Sequence, residues 1–163
     1  FLPKSVFQLY ALSVWNLIPR CKLCNQTFKG SRFIPLLNPL EAGFDADCFL
    51  NVEFHSLGQL LGKDNNFDVS WEMDPFISAD TREKIENNIQ MFRLNEVYQY
   101  HKEELRLVLK RRQMLSSRRY VKEVKKLVGE EDLDEILLGI PEKPENLGKR
   151  ILAKAKYDVV KRN

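Results

Sequence analysis

Val14 to Gly30 reads VWNLIPRCKLCNQTFKG. It places Cys21 and Cys24 in Cys-x-x-Cys spacing, with Asn25 directly after the pair, Lys29-Gly30 closing the stretch, and Asn16 nine positions before Asn25. Two thiolates so spaced can hold one metal ion from a tight turn, whereas a disulfide across so short a loop is strained outside dedicated redox pairs. A tetrahedral zinc site takes four ligands, and Cys48, His55 and His101 share no spacing with the pair or with each other. The pair is therefore half of a zinc site, or two small apolar side chains of the kind that are often simply buried.

Working outward, Phe1-Leu2-Pro3-Lys4-Ser5 and then Tyr10 to Asn25, ending in Phe28-Lys29-Gly30, resemble the second half of an HNH endonuclease motif of the bacterial, zinc-knuckle ββα-metal class. In that family a first Cys-x-x-Cys precedes an Asp-His dipeptide, a segment like FLPKS, a central Asn, and a second Cys-x-x-Cys with Asn or His on a short helix. The resemblance starts at Phe1, so the Asp-His and the first knuckle are expected to precede it. A looser likeness continues through Pro35 to Pro39, Leu61-Gly62-Lys63 and Ile85 to Asn95.

The resemblance implies roles residue by residue. Cys21 and Cys24 would be structural zinc ligands. Asn25 would offer its carbonyl oxygen to a hard catalytic cation such as Mg²⁺. Asn16 would brace the loop that carries the general base, since an amide has no useful pKa for proton transfer. Lys29, with Lys4, Lys22 and Arg32 beside it, would contact the DNA backbone. No histidine lies near the motif, so the base itself is not supplied there, and these 163 residues alone are expected to be catalytically inactive.

Composition sets the frame for these roles. A hydrophobic share of 44% beside 30% charge is enough for a packed core, in one domain or in a small domain with a helical extension. No apolar run is long enough to span a bilayer, so no membrane association is expected, and an odd cysteine count with two in metal spacing points to a reducing cytoplasm. The net charge of +3 is too mild to identify a nucleic-acid partner by itself. Its distribution is more telling, because His101 to Lys126 holds ten Lys and Arg against three Glu.

Along the chain, Tyr10-Ala11-Leu12 and Val14-Trp15 suggest a short strand, and a short helix is expected from about Leu23, stopped by Gly30. Ser31 to Cys48, with Pro35, Pro39 and Gly43, reads as loop. Phe49 to His55 and Phe67 to Met73 alternate with period two and predict a β-hairpin with one buried face, leaving His55 on the polar side. After Pro75 the period becomes helical. Asp80 to Glu83 has capping-box spacing, and a long helix is expected from about Glu96 to Leu127, interrupted at Ser116-Ser117. Two shorter helices follow, around Leu133 to Leu137 and from Leu147 to Lys161. The expected fold is α+β: a partial ββα-metal motif and a β-hairpin within 1–75, then a mostly helical region over 76–163.

The function these features point to is the C-terminal portion of a divalent-metal-dependent DNA endonuclease that hydrolyses phosphodiester bonds, in bacterial restriction or phage defence. Its partners would be DNA and an ATPase of the same defence system, with zinc and Mg²⁺ or a similar ion as cofactors. The alternative is a zinc-ribbon-like module that binds nucleic acid or protein without catalysis. Third comes a helical interaction domain with an incidental Cys-x-x-Cys.

Overall fold

The computed structural model describes residues 2, 5–10, 12–14, 22–38, 42–44, 47–129 and 133–162, leaving aside the side chains of Asn25 and Pro144. The fold is α+β, a two-stranded antiparallel sheet with helices. It divides into two compact units that alternate along the chain. The first holds Phe1–Cys48 and Met73–Glu96, the second Phe49–Glu72 and Val97–Asn163. The division thus falls at 48/49, 72/73 and 96/97, where patterning alone suggests one boundary after residue 75.

In the first unit, the expected strand before the cysteines is not seen at its described positions. Gln8–Tyr10 is a 3-10 turn, with Tyr10 N–H donating to Phe7 C=O (3.1 Å) and Ser13 N–H to Tyr10 C=O (3.1 Å). Local turn bonds use the backbone groups a strand would need, and the ring of Phe7 packs against Phe33 (centroids 5.0 Å apart). The helix expected from Leu23 is present as a π-type turn over Leu23–Lys29, and Gly30 leaves it with φ +52°.

Helix α2 (Ala79–Met91) completes this unit. Its N-cap is Ser78, two residues ahead of the Asp80 spacing, with Ser78 Oγ accepting the Thr81 N–H at 3.1 Å. Ile85 and Met91 are buried, as is Asn88 one turn from Ile85. Asn87, on another face, donates to the Pro35 carbonyl at 2.9 Å and so holds the irregular 32–38 segment.

The second unit carries the hairpin, β1 (Cys48–Glu53) and β2 (Asp68–Met73). Burial follows the period-two pattern: Leu50, Val52, Phe67, Val69 and Trp71 face the core, and Asn51 pairs with Glu72 across the exposed face. The connection is structured. Ser56 caps the single turn α1 (Leu57–Leu60), and buried Gln59 accepts from His55 N–H (2.7 Å) while donating to the Asn66 carbonyl (3.1 Å). Gly62, at φ +64°, lies against α4 (Lys102–Ser116), where a Cβ would stand 2.6 Å from the Lys110 nitrogen.

The long helix expected here is three helices, one of the two breaks falling at Ser116-Ser117 as expected. Between α3 (Leu94–Gln99) and α4 the chain turns at Tyr100-His101, and α5 (Arg118–Val128) begins after Ser117, whose backbone is extended and whose Oγ accepts from Tyr120 N–H at 3.4 Å. A serine in that conformation lets its hydroxyl oxygen accept from the third amide of the next helix, an end group with no partner inside the helix. Leu105, Val108 and Leu109 of α4 are buried. Val108 forms one apolar cluster with Leu138, Ile140 and Val160, the last on α6 (Ala153–Lys161). Gly139 ends the Asp134–Leu138 turn in the left-handed region, and the last helix starts later than Leu147, after a 3-10 segment over Pro144–Lys149.

Asp158 locks this unit together. It is fully buried, and Oδ2 accepts the Leu50 N–H (2.9 Å) across 108 residues of chain, while Lys154 Nζ approaches both oxygens at 2.7 and 2.8 Å. A buried carboxylate needs such partners, because desolvating it unpaired costs several kcal/mol. Among the described residues, no helix is long and apolar enough to cross a membrane.

Candidate functional site

Of the Cys-x-x-Cys pair, Cys24 is the described member, and it belongs to the short helix Leu23–Lys29. Cys24 lies on the first turn of Leu23–Lys29 and is half-buried, and Asn25 follows it in the same turn. The helix is short because Lys29-Gly30 ends it: Gly30 takes a positive φ that other residues adopt only with strain. A Cβ there would meet nothing closer than the Gln26 carbonyl at 3.5 Å, so the requirement is conformational rather than steric. Phe28 is held on its outer side by Arg93, whose guanidinium lies 5.7 Å from the ring centroid.

Asn16, Cys21 and Lys4 lie outside the described residues, as does the side chain of Asn25. Of the cations expected to touch DNA, Lys22 and Arg32 are exposed, whereas Lys29 is only 4% exposed. Its side chain lines a cavity of about 180 Å³ with Leu2, Arg32, Phe33 and Pro35. Arg32 turns back to the same point, its Nε donating to the Lys29 carbonyl at 3.4 Å. The position of Lys29 in the last turn of the helix also suits the helix dipole. Sequence spacing alone does not reveal its burial.

Both histidines belong to the second unit. His55 stands on the polar side of the hairpin, as the alternation predicts, with Nε2 2.9 Å from Asp68 Oδ2. Lys102 Nζ approaches the other oxygen of Asp68 at 3.6 Å. The hydrogen bond from His55, followed by the Lys102 charge, holds the Asp68 carboxyl below its usual range even though the group is exposed. His101 is half-buried at the start of α4, edge-on to Tyr98 at 6.0 Å.

Among the described residues, no three His, Cys, Asp or Glu side chains come together as metal ligands would. Cys24, even with Cys21, supplies two of the four donors zinc takes, so these residues do not make a closed site by themselves. Sequence reasoning missed Asn87, which holds the segment after the short helix within the first unit, and Asp158, which ties the second unit together. Each bonds a backbone group far away in sequence, which no local pattern records. No protein-family model, no curated protein and no solved structure matches this chain.

Proposed function

We propose that this chain is part of an HNH-type, divalent-metal-dependent DNA endonuclease, acting on phosphodiester bonds in a bacterial restriction or phage-defence system, in the cytoplasm and beside an ATPase. One observation carries the reading. A single short helix begins at the second half of a Cys-x-x-Cys, bears Cys24 and then Asn25 on its first turn, and stops at a positive-φ Gly30. The short helix is one part of what the resemblance to HNH nucleases calls for; the strand it also calls for is not seen at the described positions before the cysteines.

When bound, zinc would cross-link such a motif, and a second divalent ion would stabilise charge on the scissile phosphate and the departing oxygen. The described residues form neither site in full. What the chain itself contributes is a half-buried thiol on a helix turn and, one residue on, an amide that can orient but not transfer a proton. No histidine lies near the motif in the sequence, so no general base is assigned there, and the chain alone is expected not to cut DNA.

The non-catalytic alternative, a zinc-ribbon-like binding module, is supported by the same lack of a histidine near the motif in the sequence. Titration with Co²⁺ tests the shared part of both readings. Thiolate-to-cobalt absorption that vanishes in Cys24→Ser is expected once the residues preceding Phe1 are included, and its absence there sinks both. Plasmid incubated with Mg²⁺ or Mn²⁺ should remain uncut; nicking that disappears in Asn25→Ala would overturn the expectation of inactivity. Reading the codons that precede Phe1 separates the two: a Cys-x-x-Cys with an Asp-His fits the nuclease, their absence the module.

A further inference from the structure

Helix α5 (Arg118–Val128) has two chemically distinct sides. At about 100° per residue, Arg118, Arg119, Lys122, Lys125 and Lys126 fall within an arc of about 120°. Tyr120, Val121, Val124 and Val128 fall within about 100° on the other side. Burial follows this division: those four apolar residues are half-buried, and all five cations are exposed. Glu123 lies at the edge of the cationic arc and bonds Lys126 Nζ at 2.8 Å, a solvent-facing pair of the weak kind.

We infer that the cationic side of α5 binds the phosphate backbone of duplex DNA. Five side chains over eight residue steps occupy about 12 Å of helix at 1.5 Å per residue, a length over which duplex DNA carries about seven phosphate charges. One acidic side chain offsets five basic ones, so the face is complementary to a polyanion rather than to a mixed protein surface. An anionic bilayer fits less well. A helix that lies in a membrane inserts its apolar side, and here four of the five residues on that side are already half-covered by the protein, Leu127 at its margin being the exception at 85% exposure. The stripe deepens the nuclease reading, and rests on it for the choice of duplex DNA among polyanions, by naming where the substrate's backbone is held. Its residues are distinct from the lysines around the Cys-x-x-Cys.

The test compares two triple variants of equal charge change in the full chain. Arg119→Gln/Lys122→Gln/Lys125→Gln removes the stripe, and Lys63→Gln/Lys143→Gln/Lys149→Gln removes three exposed lysines elsewhere. Circular dichroism checks that each is folded. Binding to a fluorescent random-sequence duplex is measured by anisotropy between 50 and 300 mM salt. The stripe triple should lower the slope of log K against log salt by about 2.7 and the affinity near 0.1 M by about a hundredfold or more, at about 0.9 per phosphate contact. The control triple should bind within about threefold of the native chain. Equal losses in the two triples, or native-like binding by the stripe triple, overturn the assignment of the surface and leave the nuclease reading standing. Absence of duplex binding by the native chain overturns both. Stripe-dependent binding to phosphatidylserine vesicles without duplex binding overturns it in favour of a membrane, and the cobalt titration judges the cysteine motif separately in every case.

Discussion

Replacing Asp158 with alanine should be the most damaging single truncation in the second unit. The carboxylate is fully buried, accepts the Leu50 amide at 2.9 Å and is approached by Lys154 Nζ at 2.7 Å. Removing it leaves the Leu50 N–H without this acceptor inside the core, at about 1–3 kcal/mol, and also forfeits a charge-assisted hydrogen bond of about 1.5–3 kcal/mol. Lys154 is 22% exposed at its side chain and can recover water, so its share is small. The expected loss is about 3–5 kcal/mol, in the range for breaking a buried pair from one side. Asp158→Asn keeps a carbonyl oxygen for Leu50 and should cost about half as much. Urea unfolding followed by tryptophan fluorescence reads the difference: at a slope of about 2 kcal/mol per molar, the alanine variant's midpoint should fall by about 2 M. An alanine variant within about 1 kcal/mol of the native chain, or one no less stable than Lys154→Ala, would refute the tie between the last helix and the first strand.

Gly62→Ala should cost more than the usual glycine replacement, about 2 kcal/mol or above. The new Cβ would stand 2.6 Å from a backbone nitrogen and 2.7 Å from a backbone oxygen of α4, and thermal unfolding would show the loss. Ser117→Ala removes the cap of α5 and should lower stability by about 1 kcal/mol, with faster amide exchange confined to residues 118–122; unchanged exchange would mean the cap is idle. Tyr98 lies edge-on to Trp71 at 5.1 Å, and burial, then the Asp158 charge, raises its pKa above the ordinary tyrosine value. The unfolded chain therefore ionises first, so its contribution is fully present below about pH 10 and is lost as pH rises through the raised folded-state value. Tyr98→Phe should flatten the fall in stability above about pH 10, and parallel curves for the two proteins would argue against it.

The hairpin was the most legible part of the sequence, because alternation such as Leu50, Val52 and Phe67, Val69, Trp71 is itself the consequence of one face being buried. The short helix ended by Gly30 was legible for a similar reason, a local conformational demand met by one residue type. Helix breaks were partly legible. Ser116-Ser117 marks one, but the turn at Tyr100-His101 has no breaker residue and follows from how Tyr98 and Gln99 meet β2, the latter through a 3.0 Å bond to the Val69 carbonyl. The short strand expected near Tyr10 failed for the opposite reason: strand-forming side chains were present, and local turn bonds took the backbone. For the candidate site, the cysteine spacing could be read directly, while the burial of Lys29 is a tertiary property that no local spacing records.

The alternation of the two units along the polypeptide bears on synthesis. At about 5–20 residues per second, the amide of Leu50 leaves the ribosome roughly 5–20 s ahead of the aspartate that will receive it, 108 positions later. Until then the nascent hairpin lacks its lock, and its apolar side is open to chaperones or to neighbouring nascent chains. A stop codon anywhere between the two would leave a strand without its last helix, so loss of the final dozen residues should be felt first at the other end of that unit.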